Sequence, residues 1–344
     1  MADLKQTYGN FALRGEVVWK RNDSYAEDTS SNGNLYRRIR FGVKTEEGNI
    51  VGVEMFQTKF KDVTLRHTES GKRDKTVKYG EHTGKLPDGY EIFMPVNVGL
   101  EQDEKGKNIV KKLITYDAIE YINENIENGE AVFVTGGISR SSFEKDGQTQ
   151  YNERFEIRNI FGSSSKPGDD DFTPQSTFDQ TLIFTGTELN KKEGKLFIDG
   201  NVVVNKHGEW VPTRYYIDIS KNQKFAMNVK KNLKYGTVVK VKGFVHHTVT
   251  EVEIESDGDE WGEDPEPKAS EKVEKSLEIT KVEKPAKEDV GKYKAEDFIK
   301  KEQDSEENPF ADDSNDGGDE DIWGSDPSDS SEGSDDDDPF AGLE

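Results

Sequence analysis

The sequence contains no cysteine, which excludes a disulfide framework, a thiolate nucleophile and any cysteine-based zinc site. No apolar run approaches the roughly 18–20 residues of a membrane-spanning helix. The opening Met1-Ala2-Asp3-Leu4-Lys5 has neither the apolar core of a secretory signal nor the second-position glycine that N-myristoylation requires. A soluble, cytoplasmic protein with no membrane partner is therefore expected. Histidine is scarce too. Of five, only His246 and His247 adjoin, and neighbours on a strand point to opposite faces, so the pair does not chelate. No glycine-rich loop ends in Gly-Lys-Ser/Thr, and no His-Glu-x-x-His occurs. Asp312, Ser314, Asp316 and Gly317 begin like a calcium loop, but its twelfth position is Trp323 rather than Glu. The expectation is a protein that is not an enzyme and carries no cofactor or metal.

Positive charge is missing from the end of the chain. After Lys301 there is no Lys or Arg, while residues 303–344 carry 17 Asp and Glu. Residues 256–344 hold 32 acids and 10 bases, which leaves 38 acids and 37 bases of the chain's 70 and 47 in residues 1–255. A near-neutral body thus bears a polyanionic arm, the pattern of a protein whose partner is itself a polyanion, with the arm as tethered competitor or as a hook for other proteins. Hydrophobic residues make up only 31% of the chain, and the deficit lies mostly in that arm. Residues 257–344 are expected to form an acidic tail that stays disordered from 303 onward, too poor in apolar groups to offset ordering entropy.

What is present in the body is a repeat. Gly129-Glu130-Ala131-Val132-Phe133-Val134-Thr135-Gly136 is echoed by Gly236-Thr237-Val238-Val239-Lys240-Val241-Lys242-Gly243 with the same glycine spacing. Upstream, Leu13-Arg14-Gly15-Glu16 is echoed by Phe184-Thr185-Gly186-Thr187-Glu188. Two matches in one order indicate one fold used twice. In the second unit, strands are predicted at 182–188, 196–205 and 209–219, with His207-Gly208 as a tight turn. A helix follows at 221–233, where Phe225, Val229 and Leu233 recur at helical spacing. Strands at 237–247 and 249–255 close the unit. Three strands, a helix and two strands is the order of the five-stranded OB barrel. The first unit reads likewise, with strands at 10–19, 35–44 and 50–57, a helix at 116–126 and a hairpin at 131–161. The predicted organisation is mainly β: two OB domains in tandem at 1–162 and 178–256, a long insertion at 58–115 with an extra strand at 90–98, a flexible linker at 163–177 and the acidic tail.

A fold that binds single-stranded nucleic acid needs cations for phosphates and flat side chains for bases. Strand parity shows which residues share a face. Ile39, Phe41 and Val43 read as core, which leaves Tyr36, Arg38 and Arg40 outward; Val51, Val53 and Met55 leave Phe56 outward. On the hairpin, Arg154 and Arg158 point out, with Arg140, Phe143 and Tyr151 near its tip. In the second unit Trp210, Arg214 and Tyr216 fall opposite Tyr215, Ile217 and Ile219, and Lys240 and Lys242 face out with Phe244 and His246. The insertion is net +4 over 58–85 and offers Lys59, Lys61, Arg66 and Arg73 as a clamp on the strand. The competing reading of these aromatics is that half of them close barrel ends or cover helices.

The segment Val132 to Ile157, with Arg140, Phe143, the Gly147-Gln148 turn and Tyr151, resembles the strand 4–strand 5 hairpin of bacterial and phage single-stranded DNA-binding proteins. That resemblance implies a stacking role for Phe143 at the family's Trp position, a phosphate contact at Arg140, and a match of Tyr151 to the Tyr after the Gly-Gln turn. Asp335-Asp336-Asp337-Asp338-Pro339-Phe340 is similar to the family's acidic C-terminus, which implies docking of replication and recombination proteins there. The family's Phe is terminal, whereas Ala341-Gly342-Leu343-Glu344 follow here. Two units in one chain resemble phage versions and leave self-association open. The function expected is coating and protection of single-stranded DNA in replication, recombination and repair. The rivals are an RNA-binding OB protein and an adaptor whose barrels bind proteins while its tail mimics nucleic acid.

Overall fold

Alternation of apolar and polar residues puts the core on one side of each strand, and the folding of the chain follows from where those sides meet. The computed structural model describes residues 4–145, 147–254 and 268–298. β1 (Gly9–Val18) buries Phe11, Leu13 and Val17. A short edge strand β2 (Tyr25–Thr29) leads to β3 (Leu35–Glu46) and β4 (Asn49–Thr58), joined by a turn in which Gly48 takes a φ of 76° that favours glycine. The insertion builds β5 (Asp62–His67), β6 (Lys75–Lys78) and β7 (Tyr90–Ile92), then β8 (Val96–Gln102) and β9 (Asn108–Leu113). Helix α1 (Thr115–Asn125) precedes the long hairpin β10 (Ala131–Lys145) and β11 (Gln148–Gly162). The second unit runs β12 (Gln175–Asn190), β13 (Lys195–Val203), β14 (Trp210–Asp218), α2 (Ile219–Asn232), β15 (Val238–Ile254) and β16 (Lys268–Val282).

Two closed circuits of strands result. In the first, β1 pairs with β3 and β10, β3 with β4, β10 with β11, and a parallel contact of β11 with β4 completes the ring. In the second, β12 pairs with β13 and β15, β13 with β14, β15 with β16, and β14 meets β16 in parallel. The circuits are welded by antiparallel pairing of β1 with β12, from Gly9 opposite Gln180 to Arg14 opposite Gln175. A single apolar core runs through both, with Phe11 facing Phe178 across the weld and Phe178 stacked on Tyr215 at 5.7 Å. Helix α1 delivers Ile119 and Ile122 into it, and α2 delivers Ala226 and Val229.

The structure corrects the sequence reading at the end of the second unit. β15 is one continuous strand, and the closing strand is β16, drawn from a segment assigned to the tail. Lys and Glu crowd that segment, yet Leu277 and Ile279 enter the core, and Glu278 is buried against Lys221 and His246. The chain continues as a strap through residue 298, where Tyr293 and Phe298 join Leu4, Ile183 and Val203 in a second apolar cluster. The connection 163–174 is not the loose linker expected. Arg14 donates to the hydroxyls of Ser163 and Ser165 at 3.0 and 2.8 Å, and Lys166 donates to the Gly129 carbonyl at 2.9 Å. The single extra strand expected at 90–98 is divided between β7, in a separate sheet with β5 and β6, and β8, in the main sheet. The expected disordered stretch 303–344 lies outside the described residues.

Candidate nucleic-acid interface

Each circuit presents the outer face of its second and third strands, and the two faces are built alike. In the first, Tyr36 on β3 and Phe56 on β4 stand with ring centroids 5.3 Å apart, and Arg38 lies directly opposite Phe56 in the ladder. Beside them Glu54 accepts from Arg40 at 3.0 Å and pairs with Arg154 at 3.4 Å, a half-buried group in which Arg154 is the more exposed of the two cations. Glu156, across the parallel contact from Glu54, has its carboxyl pushed above the usual range by burial. In the second circuit Phe197 on β13 faces Tyr216 on β14, the guanidinium of Arg214 lies 5.2 Å over Phe197, and the Lys195 ammonium lies 4.9 Å over Tyr216. Arg214 is steadied by Asp199 at 2.7 Å and Glu188 at 3.1 Å. The Tyr216 hydroxyl is pushed up to about 12 by burial, with the neighbouring Glu278 carboxylate adding to it, so it remains a neutral donor at ordinary pH.

The insertion carries its cations on a small sheet docked against α1. Asp117 holds it: the Tyr79 hydroxyl donates at 2.7 Å and His82 donates from Nε2 at 2.7 Å. The Gly80 amide donates to His82 Nδ1, which fixes the proton on Nε2. Lys59 sits 4.6 Å over the Tyr79 ring and Arg66 4.3 Å over Phe93, while Lys61 and Arg73 are exposed.

Several predicted contacts lie elsewhere. Arg140 is not a surface cation: its side chain is 3% exposed and is bound by Glu153, by Gln180 at 2.6 Å and by the Tyr215 hydroxyl at 3.1 Å. It ties the two circuits together. Trp210 shares the outward parity of Arg214 and Tyr216, but Phe298 meets its ring edge-on at 5.6 Å, so the strap covers it. Lys240 and Lys242 are paired with Asp179 and Glu283 at 3.0 and 2.7 Å. Arg158 is exposed, and the end of its side chain lies over Gly137. Phe143 and Tyr151 flank the hairpin tip, where they line a cleft of about 510 Å³ shared with β14 and β16. Asp335 to Phe340, the expected docking motif, lies outside the described residues.

Two aromatics were missed by the sequence reading. Phe197 has the outward parity that buried Leu196 and Ile198 dictate, a signal available in the sequence. Phe60, 51% exposed between Lys59 and Lys61, is the basic-aromatic interleaving expected of a nucleic-acid surface. Among the described residues no group of three or more His, Asp or Glu is placed to hold a metal ion, and no helix is long and apolar enough to cross a membrane.

The model of the YorF family matches residues 10–316 of the chain. No curated protein matches it. Among solved structures, the wild-type single-stranded DNA binding protein from Thermus aquaticus is similar at 10% identity and a TM-score of 0.37, covering 82% of this chain and 95% of that one. A deletion mutant of the same protein gives 11% identity and a TM-score of 0.38, covering 82% and 96%.

Proposed function

For this chain, which belongs to the YorF family, we propose binding of single-stranded DNA by two tandem OB barrels, with coating and protection of the strand in replication, recombination and repair as its role. The observation that carries the reading is the matched pair of outer faces: Tyr36 and Phe56 with Arg38 on one circuit, Phe197 and Tyr216 with Arg214 on the other. Each places flat side chains for bases beside cations for phosphates, on the second and third strands that OB barrels use for oligonucleotides. The strand order of each ring, with its parallel third–fifth contact, supports the barrel assignment. Duplex DNA offers no exposed base faces to such a surface, so single strands are preferred. The residues named act by binding alone, and no catalytic step is assigned. The acidic tail competes for the same faces and recruits replication and recombination proteins, in a cytoplasmic setting.

The test is anisotropy of labelled oligo-dT and a matching duplex with full-length protein across a salt series. Preference for the single strand, with log K falling by roughly 0.7 per phosphate neutralised for each decade of salt, supports the reading. Absence of binding to either at low salt refutes it and turns attention to protein partners; equal affinity for oligo-U leaves the sugar preference with RNA as well.

A further inference from the structure

The two outer faces are separated by the cleft at the hairpin tip, and the side chains on its walls connect them. On β11, Asn152 lines the cleft and Arg154, two residues on and therefore on the same side of the strand, belongs to the first face through Glu54. On β14, Arg214 lines the cleft and at the same time lies over Phe197 of the second face. Its aromatic lining comes from the hairpin (Phe143 and Tyr151, the latter 49% exposed), and the exposed Lys275 approaches from β16. At its base Arg140 is buried and held by side chains of both circuits. A volume of about 510 Å³ lies within the range of small-molecule sites, roughly 300–1,000 Å³.

We propose that this cleft is a bridging nucleotide subsite, at which one DNA strand passes from the first face to the second with a base against Tyr151 and a phosphate near Lys275. The inference rests on the single-strand-binding reading. It makes the two faces one continuous track of fixed spacing, since the β1–β12 weld prevents the circuits from separating. An oligonucleotide that reaches across then gains affinity as a tethered ligand, without new contacts on either face.

The experiment measures the gain in affinity on lengthening oligo-dT from about 8 to about 30 nucleotides, a range chosen from the roughly 4–16 nucleotides that one OB fold covers. Full-length wild type, Tyr151→Ala, Lys275→Ala and the double variant are compared by anisotropy, with circular dichroism confirming the fold. The expected result is that the double variant loses about tenfold of the gain. An unchanged gain, or an equal loss at both lengths, overturns the bridging subsite while leaving the faces as binding sites. Wild-type protein that binds neither length overturns the single-strand reading, and the subsite falls with it.

Discussion

Lowering the pH from 7 to 5 is expected to loosen the joint between the two circuits through His247. This ring is 3% exposed, its Nε2 has no hydrogen-bond partner, and it packs edge-on against Phe155 of the first circuit at 5.3 Å. Its backbone amide donates to the Asn49 side chain of β4 at 2.7 Å. Burial, with Lys275 and then His246 adding to it, depresses the imidazole from 6.5 to about 3. The folded protein therefore keeps the ring neutral where the unfolded chain binds a proton. Stability is unaffected above pH 6.5 and is lost as pH falls through the window from 6.5 toward 3. At pH 5 the difference is 1.5 pH units, or about 2 kcal/mol, a large part of a typical domain stability of roughly 5–15 kcal/mol. The raised Glu156 carboxyl works in the opposite sense: its folded form holds a proton more tightly, so acidification through its range favours the fold. The lowered carboxyls of Glu27, Glu101, Asp218 and Glu283 lose their stabilisation at more acidic pH, near and below their ordinary values. Urea unfolding of wild type and His247→Phe at pH 7.5, 6 and 5 isolates the histidine, because phenylalanine keeps the ring and removes the proton site. Wild type should lose about 2 kcal/mol more than the variant between pH 7.5 and 5. Parallel losses would sink the reasoning.

Arg140→Met should destabilise by about 3–5 kcal/mol, the cost of breaking a buried ion pair, read as a lowered urea midpoint; unaltered stability would return Arg140 to the surface role the sequence implied. Gly236→Ala should lift the strap, since a Cβ there would lie 1.6 Å from the Tyr293 carbonyl oxygen; limited proteolysis within 284–298 detects it, and an unchanged cleavage pattern contradicts the packing. Phe197→Ala and Phe60→Ala should each weaken oligo-dT binding by about 1–3 kcal/mol if a base stacks there, measured by anisotropy; wild-type affinity in both would confine stacking to the residues that strand parity had already named.

Strand parity and helical spacing made the body of each circuit legible, because Ile39, Phe41 and Val43, or Tyr215 and Ile217, are buried on alternate positions as their sequence pattern demands. The same rule placed Tyr36 beside Phe56 without knowledge of the pairing. It failed where tertiary context sets the environment of a polar group. Arg140 has the sequence surroundings of an exposed cation, and only the approach of Gln180 and Tyr215 from the other circuit buries it. β16 was hidden for the related reason that Glu278 is buried by partners far away in sequence, Lys221 and His246. Trp210 was read correctly for its face, but its cover comes from Phe298, 88 residues later, in a segment whose composition signals a tail.

The pairing of cations with acids on the outer faces bears on how binding responds to salt. Arg40 and Arg154 share Glu54, and Arg214 is shared by Asp199 and Glu188. The Arg214 pairs are exposed and worth about 0–1 kcal/mol, so a phosphate can replace a carboxylate there at little cost, whereas Glu54 is largely covered and holds Arg40 more firmly. The retained carboxylate also cancels part of the charge that the phosphate would otherwise meet. Among the described residues the cations outside the ion pairs include Arg38 on β3 and Arg158 on β11 as well as Lys61, Arg66 and Arg73 on the insertion. If the chain binds single strands as proposed, the salt-sensitive share of the affinity is expected from these unpaired cations on both the first circuit and the insertion, whereas a paired guanidinium such as Arg214 contributes less to the salt slope.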